Sequence, residues 1–250
     1  MTTDIAAARA IEERMLNAWP SVETLVAGDW LLRFANGYSK RSNSATTLRE
    51  GGDMDDAMID HVAARANLWG IPAIVRISPL CASTLEARLT ARDFQEIEPT
   101  FGMMREIGDA AAGDARVELP AAPDADWITA NASSYGGVKS DATKLRAILE
   151  RIRPQAAFAT FIENGVRVAW GIGVIERGMI GLQDIVVSPD LRGRGVGRAL
   201  VASLMAWGRE NGARHAYLHV LETNEGARKL YRNLGFSDVY TIRHRVLARA

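Results

Sequence analysis

Residues 187–197 read V-S-P-D-L-R-G-R-G-V-G and join an apolar strand to an amphipathic helix. Ile185, Val186 and Val187 are β-branched, as a buried strand requires. Ser188, Pro189 and Asp190 break that strand. Beyond the loop, Leu200, Val201, Leu204, Met205 and Trp207 recur at helical spacing. Gly193, Gly195 and Gly197 carry no Cβ, so backbone N–H groups can close on an anion. The first turn of the helix adds orphan N–H donors and the positive end of the helix dipole. Arg192, Arg194 and Arg198 add charge, and residues 191–198 contain no acid. The stretch predicts a diphosphate site.

The loop is neither of two common nucleotide signatures. It lacks the terminal Gly-Lys-Ser/Thr of a P-loop. It also lacks a continuing βαβ unit with an acid at dinucleotide-binding spacing. Downstream, A-Y-L-H-V-L at 216–221 predicts a strand, and N-E-G-A-R-K-L-Y-R-N-L from Asn224 predicts a helix ending at Gly235. A last strand is expected over Val239–Leu247. In this arrangement residues 114–250 resemble the GCN5-related N-acetyltransferase (GNAT) family. R-G-R-G-V-G at 192–197 looks like the family's R/Q-x-x-G-x-G/A acetyl-CoA signature. L-E-T-N-E-G-A-R-K-L-Y-R-N-L-G-F at 221–236 is similar to its other hallmark. The resemblance implies an α/β fold with a mixed sheet and acetyl-CoA as co-substrate. It implies that Arg192, Gly193, Arg194, Gly195, Val196, Gly197 and Arg198 surround the diphosphate. Ile185, Val186 and Val187 would line the pantetheine arm. Asn224, Ala227 and Tyr231 match the second motif, and Tyr231 falls on the family's general-acid position.

The chemistry suits those residue types. An amine of pKa about 10.4 is neutral in only about one molecule in two thousand at pH 7, so the site must desolvate it or supply a base. A tyrosine hydroxyl stays protonated at neutral pH and can donate to the departing sulfur. The alternative for Tyr231 is a ring packed into the core. Asp184, on the strand before the loop, is the candidate base or amine-binding group. On a regular strand it points away from Ile185 and Val187; the alternative is a solvent-facing or capping carboxylate. Glu163, Glu176 and Glu222 sit near turns and are weaker candidates. His219 alternates with Leu218 on its strand, so it either reaches a cleft or, as preferred here, packs within the sheet. No histidine shows metal-ligand spacing, and no metal is expected.

The first half reads as a worn copy of the second. Under a shift of 142 residues, Gly70 meets Gly212, Phe94 meets Phe236, and 73–78 meets 215–220. The stretch 101–107 meets 243–249, and 30–38 meets 172–180. Chance pairing of two α/β segments is the alternative. Gly195 and Gly197 then meet Asp53 and Asp55, Arg192 meets Glu50, and Tyr231 meets Leu89. An acidic loop repels a diphosphate, so the first copy should not bind the coenzyme. Asp53 reads as a helix N-cap, with Asp55 and Asp56 in the first turn. Such a lobe resembles that of two-lobed bacterial acetyltransferases. Within it, G-Y-S-K-R-S-N-S at 37–44 is read as a polar strand. It is either a solvated edge guarded by charge or a cleft wall that meets the acceptor through Tyr38, Arg41 and Asn43.

Composition narrows the rest. Lys plus Arg equals Asp plus Glu at 30 each, so no global charge draws nucleic acid or anionic membrane. Basic residues gather at 192–198 and at Arg243, His244, Arg245 and Arg249. One cysteine, Cys81, fits a reducing compartment. No secretion signal or apolar run of about 20 residues is present, so a cytoplasmic protein is expected. Small residues at 110–115 mark a boundary between a degenerate lobe, 1–111, and a catalytic domain, 112–250. The expected activity is acetyl transfer by direct attack of a small-molecule or peptide amine, with a homodimer left open. The alternatives are a silent acyl-CoA sensor or scaffold, and a loop serving ATP or a dinucleotide.

Overall fold

The computed structural model describes residues 4–108, 113–135 and 137–248. Asp4 accepts the Ala7 N–H at 3.0 Å and caps α1 (Ile5–Ala18). A hairpin of β1 (Glu23–Ala27) and β2 (Trp30–Phe34) follows, then β3 (Ala45–Thr47). Next come α2 (Asp56–Leu68), β4 (Ala73–Ile77), α3 (Leu85–Thr90) and β5 (Gln95–Glu106). The second half runs β6 (Val117–Glu118), α4 (Ala125–Ser133), α5 (Ala142–Leu149), β7 (Gln155–Glu163), β8 (Val166–Glu176) and β9 (Met179–Val187). It ends with α6 (Val196–Glu210), β10 (His215–Leu221), α7 (Glu225–Asn233) and β11 (Ser237–Leu247). Asn164 and Gly165 both hold positive φ, so the Asn-Gly pair turns the β7–β8 hairpin as its chemistry requires.

All strands join one mixed sheet in the order β1-β2-β3-β4-β11-β5-β10-β9-β8-β7-β6. The last strand of each half lies among strands of the other. β11 sits between β4 and β5, and β5 sits between β11 and β10. The order therefore reads alike from both ends when β2, β3, β4 and β5 are taken with β8, β9, β10 and β11. Both β3–β4 and β9–β10 are parallel. The shift of 142 residues lays β5 on β11, and it pairs positive-φ positions: Gly51 with Gly193, Gly70 with Gly212, Asp93 with Gly235. It fails at β1, which falls on the start of β8 rather than on β7. Of the boundary at 110–115, residues 110–112 lie outside the described residues, as does Arg249.

Alternation places the core. Ala157, Ala159 and Phe161 face α6 and α7, while Phe158, Trp170 and Ile172 face α4 and α5. α1 covers the same side as α4 and α5 farther along, packing Ile11 and Met15 with Tyr217, Tyr240 and Ile242. Two expectations need correction. Residues 37–44 form no strand: a single 3-10 turn, Lys40–Ser42, lies within them, and Tyr38, Ser42, Asn43 and Ser44 are buried. Polarity there serves internal hydrogen bonding rather than water. Asp55, not Asp53, caps α2 by accepting the Met58 N–H at 2.8 Å. Asp53 instead accepts from Thr84 at 3.2 Å.

Candidate active site

β9 and β10 pair in parallel only from Met179–His215 to Leu182–Leu218. Past that point β9 follows β8, β10 follows β5, and a slot opens between them. A β-bulge accompanies the divergence. Asp184 and Ile185 both oppose Gly171 of β8, and Asp184 has φ 50°. A Cβ on Gly171 would stand 2.6 Å from Cδ1 of Ile185, so the bare backbone there lets Ile185 fold across. The bulge corrects the strand reading of Asp184. Asp184 and Ile185 line the same cavity, because the extra residue breaks the alternation.

The glycine loop lies at the mouth of the slot. A 3-10 turn at Pro189–Leu191 leads into it, and Gly195, φ 84°, caps α6. Ala199 is the first helix residue whose N–H finds the Gly195 carbonyl, at 3.0 Å. The N–H groups of Val196, Gly197 and Arg198 have no acceptor among the described residues. Added Cβ atoms on Gly193 and Gly195 would meet open space, so the loop presents bare backbone outward. Arg194 and Arg198 are exposed, with no ion pair among the described residues. Arg192 folds back, its Nε donating to the Val187 carbonyl at 3.3 Å. Val186 is buried and Val187 packs beside it on the opposite face. This donor set suits a diphosphate.

The slot widens into a cavity of about 340 Å³ lined from both halves of the chain. Asn224 accepts the Ala227 N–H at 3.1 Å and caps α7, and both residues line the cavity. Tyr231, one helical turn on, packs its ring edge-on to Phe236. Burial pushes the pKa of its hydroxyl up to about 12. It stays a donor across the physiological range.

Asp184 sits in a built environment. Tyr135 donates to its Oδ1 at 3.1 Å, and Arg41 approaches the same oxygen at 3.9 Å. Oδ2 is buried without a partner. Arg41 lies over the Trp19 ring at 4.5 Å and donates to Gln183 Oε1. Lys139 lies over the Tyr135 ring at 4.8 Å. Of the three residues expected to meet an acceptor, only Arg41 lines the cavity. Tyr38 packs beside Trp19, 6.3 Å between ring centres. Asn43 is a loop clasp: its Oδ1 accepts the Ala35 and Gly37 N–H groups at 2.7 and 3.0 Å, and its Nδ2 donates to the Ser39 carbonyl at 2.7 Å. Among the other acids considered, Glu163, Glu176 and Glu222 lie outside the cavity.

A buried polar cluster under the cavity has no counterpart in the sequence reading. Glu12 of α1 takes both Nε and Nη2 of Arg76 at 2.9 Å. Tyr240 donates to Glu12 at 2.6 Å. Its hydroxyl proton is thereby spent, so the phenol oxygen accepts from His219 Nε2 at 2.9 Å. Arg76 has only donors, so His244 Nε2 accepts from it at 3.3 Å. An imidazole nitrogen that accepts carries no proton, so His244 is neutral. Burial, opposed by Glu12, lowers His219 to about 4. Burial and the charge of Arg76 hold His244 well below the usual histidine range. Burial alone would raise Glu12, but Arg76 and the hydrogen bonds outweigh it and hold the carboxyl well below the usual carboxylate range.

The corresponding slot of the first half is shut. Gly52 N–H donates to the Leu80 carbonyl at 3.0 Å, and Ala82 N–H donates to Gly52 at 2.8 Å. Arg88 of α3 donates to the Met54 carbonyl and further pins the acidic loop. A larger hollow of about 710 Å³ lies between α1 and β2, and none of Asp184, Ile185, Asn224 or Tyr231 lines it. Among the described residues no group of three or more His, Cys, Asp or Glu is placed to hold a metal.

The family model described as probable histone acetyltransferase Rv0428c C-terminal matches residues 2–245. The uncharacterized N-acetyltransferase YobR of Bacillus subtilis is 27% identical over 95% of this chain and 98% of its own. Streptothricin acetyltransferase of Streptomyces lavendulae is 41% identical over 22% of this chain and 30% of its own. A GCN5-related N-acetyltransferase from Kribbella flavida superposes with TM-score 0.71 at 19% identity, covering 97% of this chain and 96% of that one. A tandem GNAT protein from the clavulanic acid biosynthesis pathway gives TM-score 0.56 at 14% identity, over 78% and 70% of the two chains.

Proposed function

The chain belongs to the GNAT acetyltransferases, in the family of the Rv0428c C-terminal domain, and from that premise we propose that it moves acetyl from acetyl-CoA to a small primary amine by direct attack. One observation carries this reading: the diverging ends of β9 and β10 and Tyr231 of α7 line one cavity, and the glycine loop follows directly from β9, with Gly197 set against Val187 of β9 and Leu230 of α7. The orphan N–H groups of Val196, Gly197 and Arg198, with Arg194 and Arg198, would hold the diphosphate. Ile185, Val186 and Val187 would flank the pantetheine arm.

In the cavity Asp184 would hold the acceptor amine and take its proton as the C–N bond forms. Tyr231 would donate to the sulfur as the C–S bond breaks. Removing such a donor costs about 10²–10⁴ in rate. The family description and the relative from Streptomyces lavendulae name different acceptors, a histone and streptothricin. A small amine is proposed here because the 3-10 turn at Lys40–Ser42 walls one side of the cavity.

We also read the chain as a duplicated unit, 1–111 and 112–250, whose first copy has lost its coenzyme slot. The strand order supports that reading, as do the bonds from Gly52 to Leu80 and Ala82.

The test is release of free thiol from acetyl-CoA with a panel of amines, comparing wild type with Tyr231→Phe. A fall in kcat of about 10²-fold or more, with the KM for acetyl-CoA little changed, is expected. Tight coenzyme binding without thiol release for any amine would instead make the protein a sensor. Stabilisation by ATP or NAD rather than acetyl-CoA in a thermal-shift assay would remove the loop assignment.

A further inference from the structure

The ion pairs around the cavity leave its charge unbalanced. Lys40, Arg41, Arg76 and Lys139 line it, against Glu98 and Asp184. Lys40 pairs with Glu98 at 3.5 Å on the rim, and Arg76 is consumed by Glu12 from behind. Arg41 and Lys139 remain, with Asp184 alone to answer them. Asp184 is 3.9 Å from Arg41, and Lys139 has no ion pair among the described residues. His219 and His244, the other titratable lining groups of β10 and β11, are neutral and add nothing.

Both cations are built in rather than trailing in solvent. Arg41 is clamped by the Trp19 face and by Gln183, with its own carbonyl taking Arg33. Lys139 rests on the Tyr135 ring, whose hydroxyl also orients Asp184. A polycation entering this space would meet like charge at two fixed points, while an anionic group would meet a desolvated guanidinium and an ammonium.

We infer that the acceptor is a small primary amine that also bears an anionic group, a carboxylate or a phosphate, with the amine toward Asp184 and the anion held by Lys139 and Arg41. The inference rests on the acetyltransferase reading and narrows its substrate class. The cavity selects against polyamines and lysine-rich peptides.

The experiment measures thiol release from acetyl-CoA by the full chain with matched acceptors. These are α-amino acids against their amides and decarboxylated amines, phosphoethanolamine against ethanolamine, and spermidine and a lysine-rich peptide as polycations. The carboxylate or phosphate member of each pair should exceed its uncharged mate at least tenfold in kcat/KM. Which of the two anions gains more identifies the source. Lys139→Glu should collapse that ratio or invert it, and Arg41→Gln should reduce it, with acetyl-CoA binding checked separately by thermal shift. Equal or better use of the amides or polycations by wild type overturns the inference while leaving the acetyltransferase reading intact. So does an unchanged ratio in a Lys139→Glu protein that still binds acetyl-CoA. Absence of thiol release with every amine overturns both.

Discussion

Replacing Glu12 by Ala should destabilise the protein more than most single changes. The Glu12 and Arg76 side chains are each 1% exposed and joined by two bonds of 2.9 Å. Truncation leaves a guanidinium buried without its counter-ion, which typically costs about 3–5 kcal/mol. Tyr240 loses its acceptor in the same step. For a chain of this size each kcal/mol lowers Tm by roughly 2–4 °C, so a fall of about 6–20 °C is expected by calorimetry at pH 7.5. Replacing both members together, Glu12→Leu with Arg76→Met, should cost much less than the two single changes added, because no lone charge is then buried. A Glu12→Ala protein melting within about 2 °C of wild type would refute the pairing. So would strict additivity of the two substitutions.

Three other outcomes follow from the same geometry. His219 is lowered to about 4, so the unfolded chain binds its proton first as pH falls; stability is full above about pH 6.5 and should drop by about 3 kcal/mol on going down through pH 4. His219→Gln should flatten that slope in urea melts, and an unchanged slope would contradict the buried neutral imidazole. Gly195→Ala puts a Cβ at φ 84° with nothing to strike, so a left-handed cost of about 1–2 kcal/mol is expected; a Tm equal to wild type would count against the left-handed cap. Arg192→Glu should leave Tm within about 2 °C, because the side chain is exposed, yet weaken acetyl-CoA binding at least tenfold in calorimetric titration; unaltered affinity would displace the coenzyme from this loop.

What the sequence made legible is local. Glycines at 193 and 195, the Asn-Gly turn at 164–165 and the Asn224 cap act on neighbours within a few residues, so spacing alone reveals them. The bulge at Asp184 was missed because no periodicity marks one extra residue. Its only sequence trace is Gly171 on the facing strand, which leaves room for Ile185. The stretch 37–44 is not a strand, because its polar side chains have two uses that spacing does not separate: Asn43 and Ser39 satisfy buried backbone and the Trp19 indole, while Lys40 and Arg41 face the cavity. In the sequence Glu12 is one charge among several on a helix whose apolar residues are Ile5, Ala8, Ile11 and Met15. Its partners Arg76 and Tyr240 lie 64 and 228 residues away, and only the exchanged strands bring them together.

The interleaving of β5 and β11 also bears on how the chain is made. On a ribosome adding about 5–20 residues per second, β11 trails β5 by roughly 7–28 s. Through most of that interval β5 lacks both its neighbours, β10 and β11, and β4 lacks β11, so each offers unpaired edges to any passing strand. Nascent copies on one messenger are thus exposed to swapping their final strands. A nascent chain shielded by a holdase, or synthesised sparsely, should reach the native state in higher yield than one refolded from denaturant at high concentration.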